Sequence, residues 1–218
     1  MLINKDNHSS NSSKYHRHSL RIKNYNYSIP GAYFITICTY LKENLLGYIS
    51  EGKIELKVLG KITAREWLKT FQIRKNIQLD EYVIMPNHFH GIINLIENNG
   101  HNSLCPYINN QNIYNCRGTM HRARPSTYES FGKPVSGSIP TIVRMFKSAV
   151  TREIKRLNYP FLYSVWQRNY YEHIIRNENE LNRIREYIQN NPLRWEYDRE
   201  NGEGKPDKIE KKFWKDFI

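Results

Sequence analysis

The residues Tyr82-Val-Ile-Met-Pro-Asn-His-Phe-His-Gly-Ile-Ile-Asn-Leu95 limit the folds open to this chain more than any other stretch. They carry β-branched and aromatic side chains, no acidic residue and no helix cap, which predicts a buried strand entered through a kink at Pro86. Side chains alternate across a strand, so His88 and His90 share one face and Phe89 takes the other. Two imidazoles side by side on a rigid strand, flanked by Ile92, Ile93 and Leu95, make half of a metal site. The competing reading is a polar strand face that binds nothing. The pair alone does not decide between them.

The flanking sequence supplies partners for that strand. Pro30-Gly31 bounds Ala32-Tyr-Phe-Ile-Thr-Ile-Cys-Thr39, whose composition is that of a strand. Tyr48–Ser50 and Lys53–Lys57 flank Glu51-Gly52 and predict a hairpin. Gly60 to Arg74 is helical in pattern, with Ile62, Trp67, Leu68 and Phe71 as its apolar stripe. A second helix starts at Ser138-Ile-Pro-Thr, proline being favoured at a helix entry, and buries Ile142, Val143, Phe146, Val150, Ile154 and Leu157. Phe161 to Arg176 alternates as a last strand. Asn177 then caps a helix over 178–191 that stops at Pro192 and packs through Leu181, Ile184 and Ile188. The order β-α-β-β-α-β predicts an α+β, ferredoxin-like antiparallel sheet with helices packed on one face, the other face open, and a C-terminal helix beyond it.

With 218 residues the chain makes one domain plus tails, and a hydrophobic fraction of 39% predicts a core smaller than the full length. Residues 1–29 read as a polar, basic N-terminal arm and 30–195 as the domain. Residues 98–135, rich in Asn, Gly, Ser and Pro, form an insertion, and 196–218 a charged, peripheral tail. His101, Cys105, Cys116 and His121 in the insertion match none of the usual zinc spacings. A net charge of +12 and 13% aromatic residues predict a polyanionic partner. Candidate nucleic-acid contacts are Arg17 and Arg21 on the arm and Arg144, Lys147, Arg152 and Lys155 on the basic second helix. Three irregularly spaced cysteines build no disulfide framework, and no apolar run reaches the ~18 residues of a membrane span. The expected location is the cytoplasm, with no membrane partner.

Tyr187 and Asn191 stand four apart on the last helix, along one edge of its Leu181/Ile184/Ile188 stripe. A phenol and an amide oxygen there can complete a site begun by the two histidines. They can equally be a core-margin tyrosine and an ordinary helix-end asparagine.

Four segments, PGAYFITICTY (30–40), MPNHFHGIINL (85–95), GKPVSGSIPTIVRMFKSAVTREI (132–154) and VWQRNYYEHIIRNENELNRIREYIQNNPLRW (165–195), occur together and in order. In them the chain resembles the IS200-like, single-tyrosine transposases of the HUH endonuclease superfamily, above all the branch associated with repetitive extragenic palindromes. The resemblance implies that His88 and His90 are metal ligands and Tyr187 the nucleophile. Asn191 stands where related transposases carry a glutamine ligand and keeps an amide oxygen on a shorter side chain. The activity implied is a metal-dependent (Mg2+ or Mn2+) transposase or nickase for single-stranded DNA. It would cut and rejoin beside a hairpin through a 5′-phosphotyrosine intermediate. Tyr170 and Tyr171 are rival nucleophiles, on opposite faces of their strand. The partner expected is single-stranded or hairpin DNA, with monomer and homodimer both open. The alternative is a non-cleaving module on the same fold that binds structured single-stranded DNA or an RNA hairpin.

Overall fold

The computed structural model describes residues 25–97, 135–159 and 164–217. Four strands build the main sheet: β1 (Gly31–Cys38), β4 (Ile77–Ile84), β5 (His88–Leu95) and β6 (Tyr171–Ile175), in the order β4-β5-β1-β6. All neighbours are antiparallel. β2 (Gly47–Ser50) and β3 (Lys53–Leu56) form the separate hairpin expected around Glu51-Gly52. The predicted α+β, ferredoxin-like sheet is the observed one.

Helices α1 (Val58–Gln72) and α2 (Ile139–Arg156) cover one face, as expected. Their apolar stripes meet Tyr33, Ile35, Ile37, Phe89 and Ile93, the inward set of β1 and β5. Trp67 is the centre of this layer, with its ring centroid 4.5 Å from Phe89 and 5.2 Å from Phe146. Gly91 is required beneath it, since a Cβ there would come within 2.9 Å of the Trp67 ring. The insertion of Tyr27 into the same core brings the end of the predicted arm, from residue 25 onward, into the fold.

The second face, expected to be open, is covered. Helix α3 (Glu178–Asn190) and the C-terminal α4 (Lys208–Phe217) lie on it, with Leu181, Ile184, Ile188, Phe213 and Trp214 packed on Ala32, Phe34 and Ile92. The segment after Arg194 is therefore not peripheral. Its charges hid two buried aromatics, Phe213 and Trp214, one side by side with the other on a helix face only three turns long. Asn177 caps α3 as predicted, its side chain accepting from Glu180 N at 2.9 Å.

A bulge fixes where α3 sits. Between Leu79 and Tyr82, β4 has one residue more than β5 opposite it, the usual device for re-aiming a side chain. Asp80 in the bulge receives both arms of the Arg185 guanidinium, at 2.8 and 2.7 Å. That bidentate pair ties the outer sheet strand to the middle of α3.

Candidate metal centre and its tyrosine

His88 and His90 both point to the α3/α4 face, and both are fully buried. Each is held by its Nδ1. Asn87 uses both amide hydrogens on the carbonyls of Lys42 (3.1 Å) and Glu200 (2.7 Å), so its Oδ1 can only accept, and His88 Nδ1 donates to it at 2.8 Å. This fixes the His88 tautomer and leaves a lone pair on Nε2. Across β1, Thr36 Oγ1 lies 2.8 Å from His90 Nδ1. Burial lowers the pKa of both imidazoles. For His88 the Asp198 and Glu200 carboxylates act against that, while for His90 the neighbouring His88 and Arg199 add to it. Both rings are neutral, the state in which they ligate.

The short, kinked helical segment Pro192–Tyr197 follows α3 and brings Asp198 back beside the histidines. Its carboxylate is shut off from solvent, with Oδ2 3.7 Å from His88 Nε2, too long for a hydrogen bond. Asn191 Nδ2 donates to Oδ2 at 2.7 Å and Glu200 N to Oδ1 at 2.6 Å. His88, His90 and Asp198 offer three ligand atoms within 4.8 Å of one another. His88 Nε2, His90 Nε2 and Asn191 Oδ1 are buried without a hydrogen-bond partner among the described residues. Orphaned polar atoms are costly in a core, and a cation would satisfy imidazole and amide lone pairs and a carboxylate together. With the outer nitrogens hydrogen-bonded as metal-binding histidines usually are, these residues fit a divalent metal.

Tyr187 stands against this cluster, its ring centroid 5.4 Å from that of His90. Phe213 stacks on it face to face at 3.8 Å, and its hydroxyl donates to Glu210 Oε1 at 3.1 Å. Burial pushes the phenol well above its ordinary pKa, and the Asp198 and Glu210 carboxylates push it further. Trp214 Nε1 also donates to Glu210, at 2.7 Å. As α4 lies now, it covers the phenol and keeps it protonated.

Of the residues picked out in the sequence, His88, His90, Tyr187 and Asn191 come together. Tyr171 packs on Phe34 on this face and Tyr170 on the other, as alternation requires. Arg144, Arg152 and Lys155 are exposed on α2, while Lys147 is half-buried and donates to the carbonyls of Gln167 and Asn169, each at 2.8 Å. Arg17, Arg21, His101, Cys105, Cys116 and His121 lie outside the described residues, as does the predicted insertion up to residue 134. Asp198 and Glu210 were missed. Neither belongs to a spaced motif with the histidines, and a reversal of the chain is needed to bring them in.

Fold and site thus define a ferredoxin-like domain with a buried His–His–Asp donor set beside a helix tyrosine. The chain belongs to one family with an uncharacterized protein of Haemophilus influenzae, to which it is 40% identical over 188 residues, 86% of this chain and 94% of that one. No family model matches. Among solved structures, it is similar to a REP-associated tyrosine transposase bound to a REP hairpin, with a TM-score of 0.49 and 18% identity over 80% of this chain and 74% of the other. No helix among the described residues is long and apolar enough to cross a membrane.

Proposed function

We propose that the protein is a metal-dependent transposase or nickase that cuts and rejoins single-stranded DNA beside a hairpin, with Tyr187 as the nucleophile. One observation carries this reading. Two imidazole nitrogens buried without a hydrogen-bond partner among the described residues, on His88 and His90, gather with the Asp198 carboxylate beside a tyrosine. The His-Phe-His strand and the tyrosine helix are also the motifs in which the sequence resembles single-tyrosine transposases.

His88, His90 and Asp198 hold the cation, with Asn191 orienting Asp198 and offering Oδ1 as a further oxygen. A bound Mg2+ or Mn2+ supplies Lewis-acid polarisation of the scissile phosphate; two imidazoles make Mn2+ the better fit. Tyr187 supplies the nucleophilic oxygen. Its bond to phosphorus forms as the bond to the 3′ oxygen breaks, the phenolic proton passes to solvent, the departing 3′ oxygen takes a proton from solvent, and the strand is left as a 3′-hydroxyl and a 5′-phosphotyrosine. Attack by a 3′-hydroxyl on that link restores a phosphodiester and frees the tyrosine. Because the cluster is now buried, the segment that follows Asp198, through α4, has to shift before a phosphate can enter.

That burial supports a second reading. Closed metal sites are usually structural, whereas catalytic ones keep an open position. A non-cleaving, hairpin-binding module with a structural cation has the same fold. The two separate on a denaturing gel after incubation with hairpin-bearing oligonucleotides and Mn2+. Transposition chemistry gives a covalent protein–DNA adduct that Tyr187→Phe abolishes and Tyr171→Phe retains. An adduct that survives Tyr187→Phe refutes the assignment of the nucleophile. Salt-sensitive binding with no adduct under any metal establishes the binding module instead.

A further inference from the structure

On the opposite side of β1 from the histidine strand, α2 and residues 164–168 line an open surface cavity of 540 Å³. Its wall carries Lys147, Arg152, Lys155 and Arg168, with Trp166 and Ser148 between them, and among the described residues no carboxylate lines it. Such a wall selects an anion. Trp166 adds a sharper requirement, for it is 5% exposed and its Nε1 is buried with no acceptor among the described residues. An indole N–H can only donate, and a ligand oxygen that reached it would supply the acceptor it lacks.

The cavity is held firmly in place. Trp166 bridges to Thr39, and Gln167 N donates to Cys38 O at 3.0 Å. Lys147 fastens residues 167 and 169 to α2. Cys38 is the β1 partner of His88, so the cavity wall lies about one strand spacing, ~4.8 Å, beyond the strand next to the metal ligands. The cavity lies on the α2 side of the sheet and the metal ligands on the α3/α4 side, so a strand joining them has to round this edge. The cavity's volume exceeds that of a lone phosphate and falls in the ~300–1,000 Å³ range of sites for nucleotide-sized ligands.

We propose that this cavity is a subsite for a backbone phosphate and its nucleotide in the single strand engaged at the metal centre. Arg152, Lys155 and Arg168 neutralise the phosphate, and Trp166 Nε1 donates to one of the nucleotide's oxygens. The proposal rests on the reading of the site as a single-strand DNA centre and extends it to the path of the strand.

The test uses the full chain and a fluorescently labelled single-stranded oligodeoxynucleotide, with anisotropy followed over a salt series. Arg152→Ala, Lys155→Ala and Arg168→Ala should each weaken binding about 3- to 10-fold and reduce the slope of log affinity against log salt by about 0.7, one phosphate contact on a single strand. Trp166→Phe, which keeps a ring and loses the donor, should weaken binding several-fold with the slope unchanged. Lys61→Ala, an equal charge removed from an exposed site on α1, should leave both values as they are. Cavity variants that behave like Lys61→Ala overturn the subsite, and so does tighter binding of the RNA oligonucleotide of the same sequence with the same losses. The adduct assay separates the two proposals. Adduct formation with unchanged half-saturation in all cavity variants removes the subsite and leaves the tyrosine reading standing. Cavity-dependent binding with no adduct does the reverse.

Discussion

Tyr187 donates its hydroxyl hydrogen to Glu210 across 3.1 Å while Phe213 lies flat on its ring at 3.8 Å. Both partners come from α4, so one element covers the phenol and, with Asp198, helps keep it protonated. Loosening that element should activate the tyrosine. Phe213→Ala removes the stacked ring without touching the metal ligands, and we expect it to form the DNA adduct several-fold faster than the parent. Its far-ultraviolet circular dichroism should match the parent, since the change opens one helix edge. An equal or slower rate with the fold intact would mean that α4 supports the chemistry and does not restrain it.

The parts of the molecule read directly from sequence are those governed by local periodicity. The alternation around His88 and His90, the stripe Leu181/Ile184/Ile188 and the Asn177 cap each depend on neighbours a few residues away. Tyr187 and Asn191 were legible for the same reason, because four residues on a helix place them on one edge. Asp198 and Glu210 obey no such rule. Their positions depend on the return of the chain through Pro192–Tyr197 and on the docking of α4 over β1, both long-range events. The tail's Lys and Glu residues masked Phe213 and Trp214, so a helix that buries one face read as a charged end of the chain.

The donor set should bind a metal measurably without any substrate. Ligands that bind only the native state stabilise it by RT ln(1 + [L]/Kd), about 2.7 kcal/mol at a hundredfold excess over Kd. Thermal unfolding should therefore move upward with Mn2+ and return on adding a chelator. His88→Ala and His90→Ala should lose the shift. Asp198→Asn, which removes the charge and keeps an oxygen, should need at least tenfold more metal for the same effect. A shift that persists unchanged in all three variants would place the metal elsewhere.

Asp80 and Arg185 set the angle of α3, and hence the position of Tyr187. Burial works to raise the Asp80 carboxyl, but the Arg185 guanidinium, together with the Glu81 N–H and the Asn94 amide, outweighs it and holds the group below its usual range. Arg185→Lys keeps a charge and loses the fork. The pair is partly exposed, so the expected loss of stability is modest, about 1 kcal/mol in urea unfolding. The adduct rate should fall by a larger factor than that small loss of stability can account for, because the tyrosine helix shifts while remaining folded. A rate that stays level would show that α3 takes its place from other contacts, the Leu181/Ile184/Ile188 stripe and the Gln189–Glu81 hydrogen bond.

Lys147 gives the fold a pH dependence at the alkaline end. Burial lowers its pKa from 10.5 to about 8. Between those values the unfolded chain keeps the proton and the native state releases it, so the unfolded state binds more protons and stability rises with pH. Below about 8 both states are charged and the native one carries the full cost of a half-buried ammonium. Lys147→Met abolishes this contribution while leaving the other lysines and tyrosines as a common background. Urea unfolding at pH 7.5 and 9.5 should therefore give a change in stability that is more positive, by roughly 1 kcal/mol, in the parent than in the variant. The variant also loses the two hydrogen bonds to Gln167 and Asn169, which lowers its stability at both pH values and cancels in the comparison. Equal changes in the two proteins would mean that Lys147 titrates as an exposed lysine and that its amine leaves the Gln167 and Asn169 carbonyls in solution.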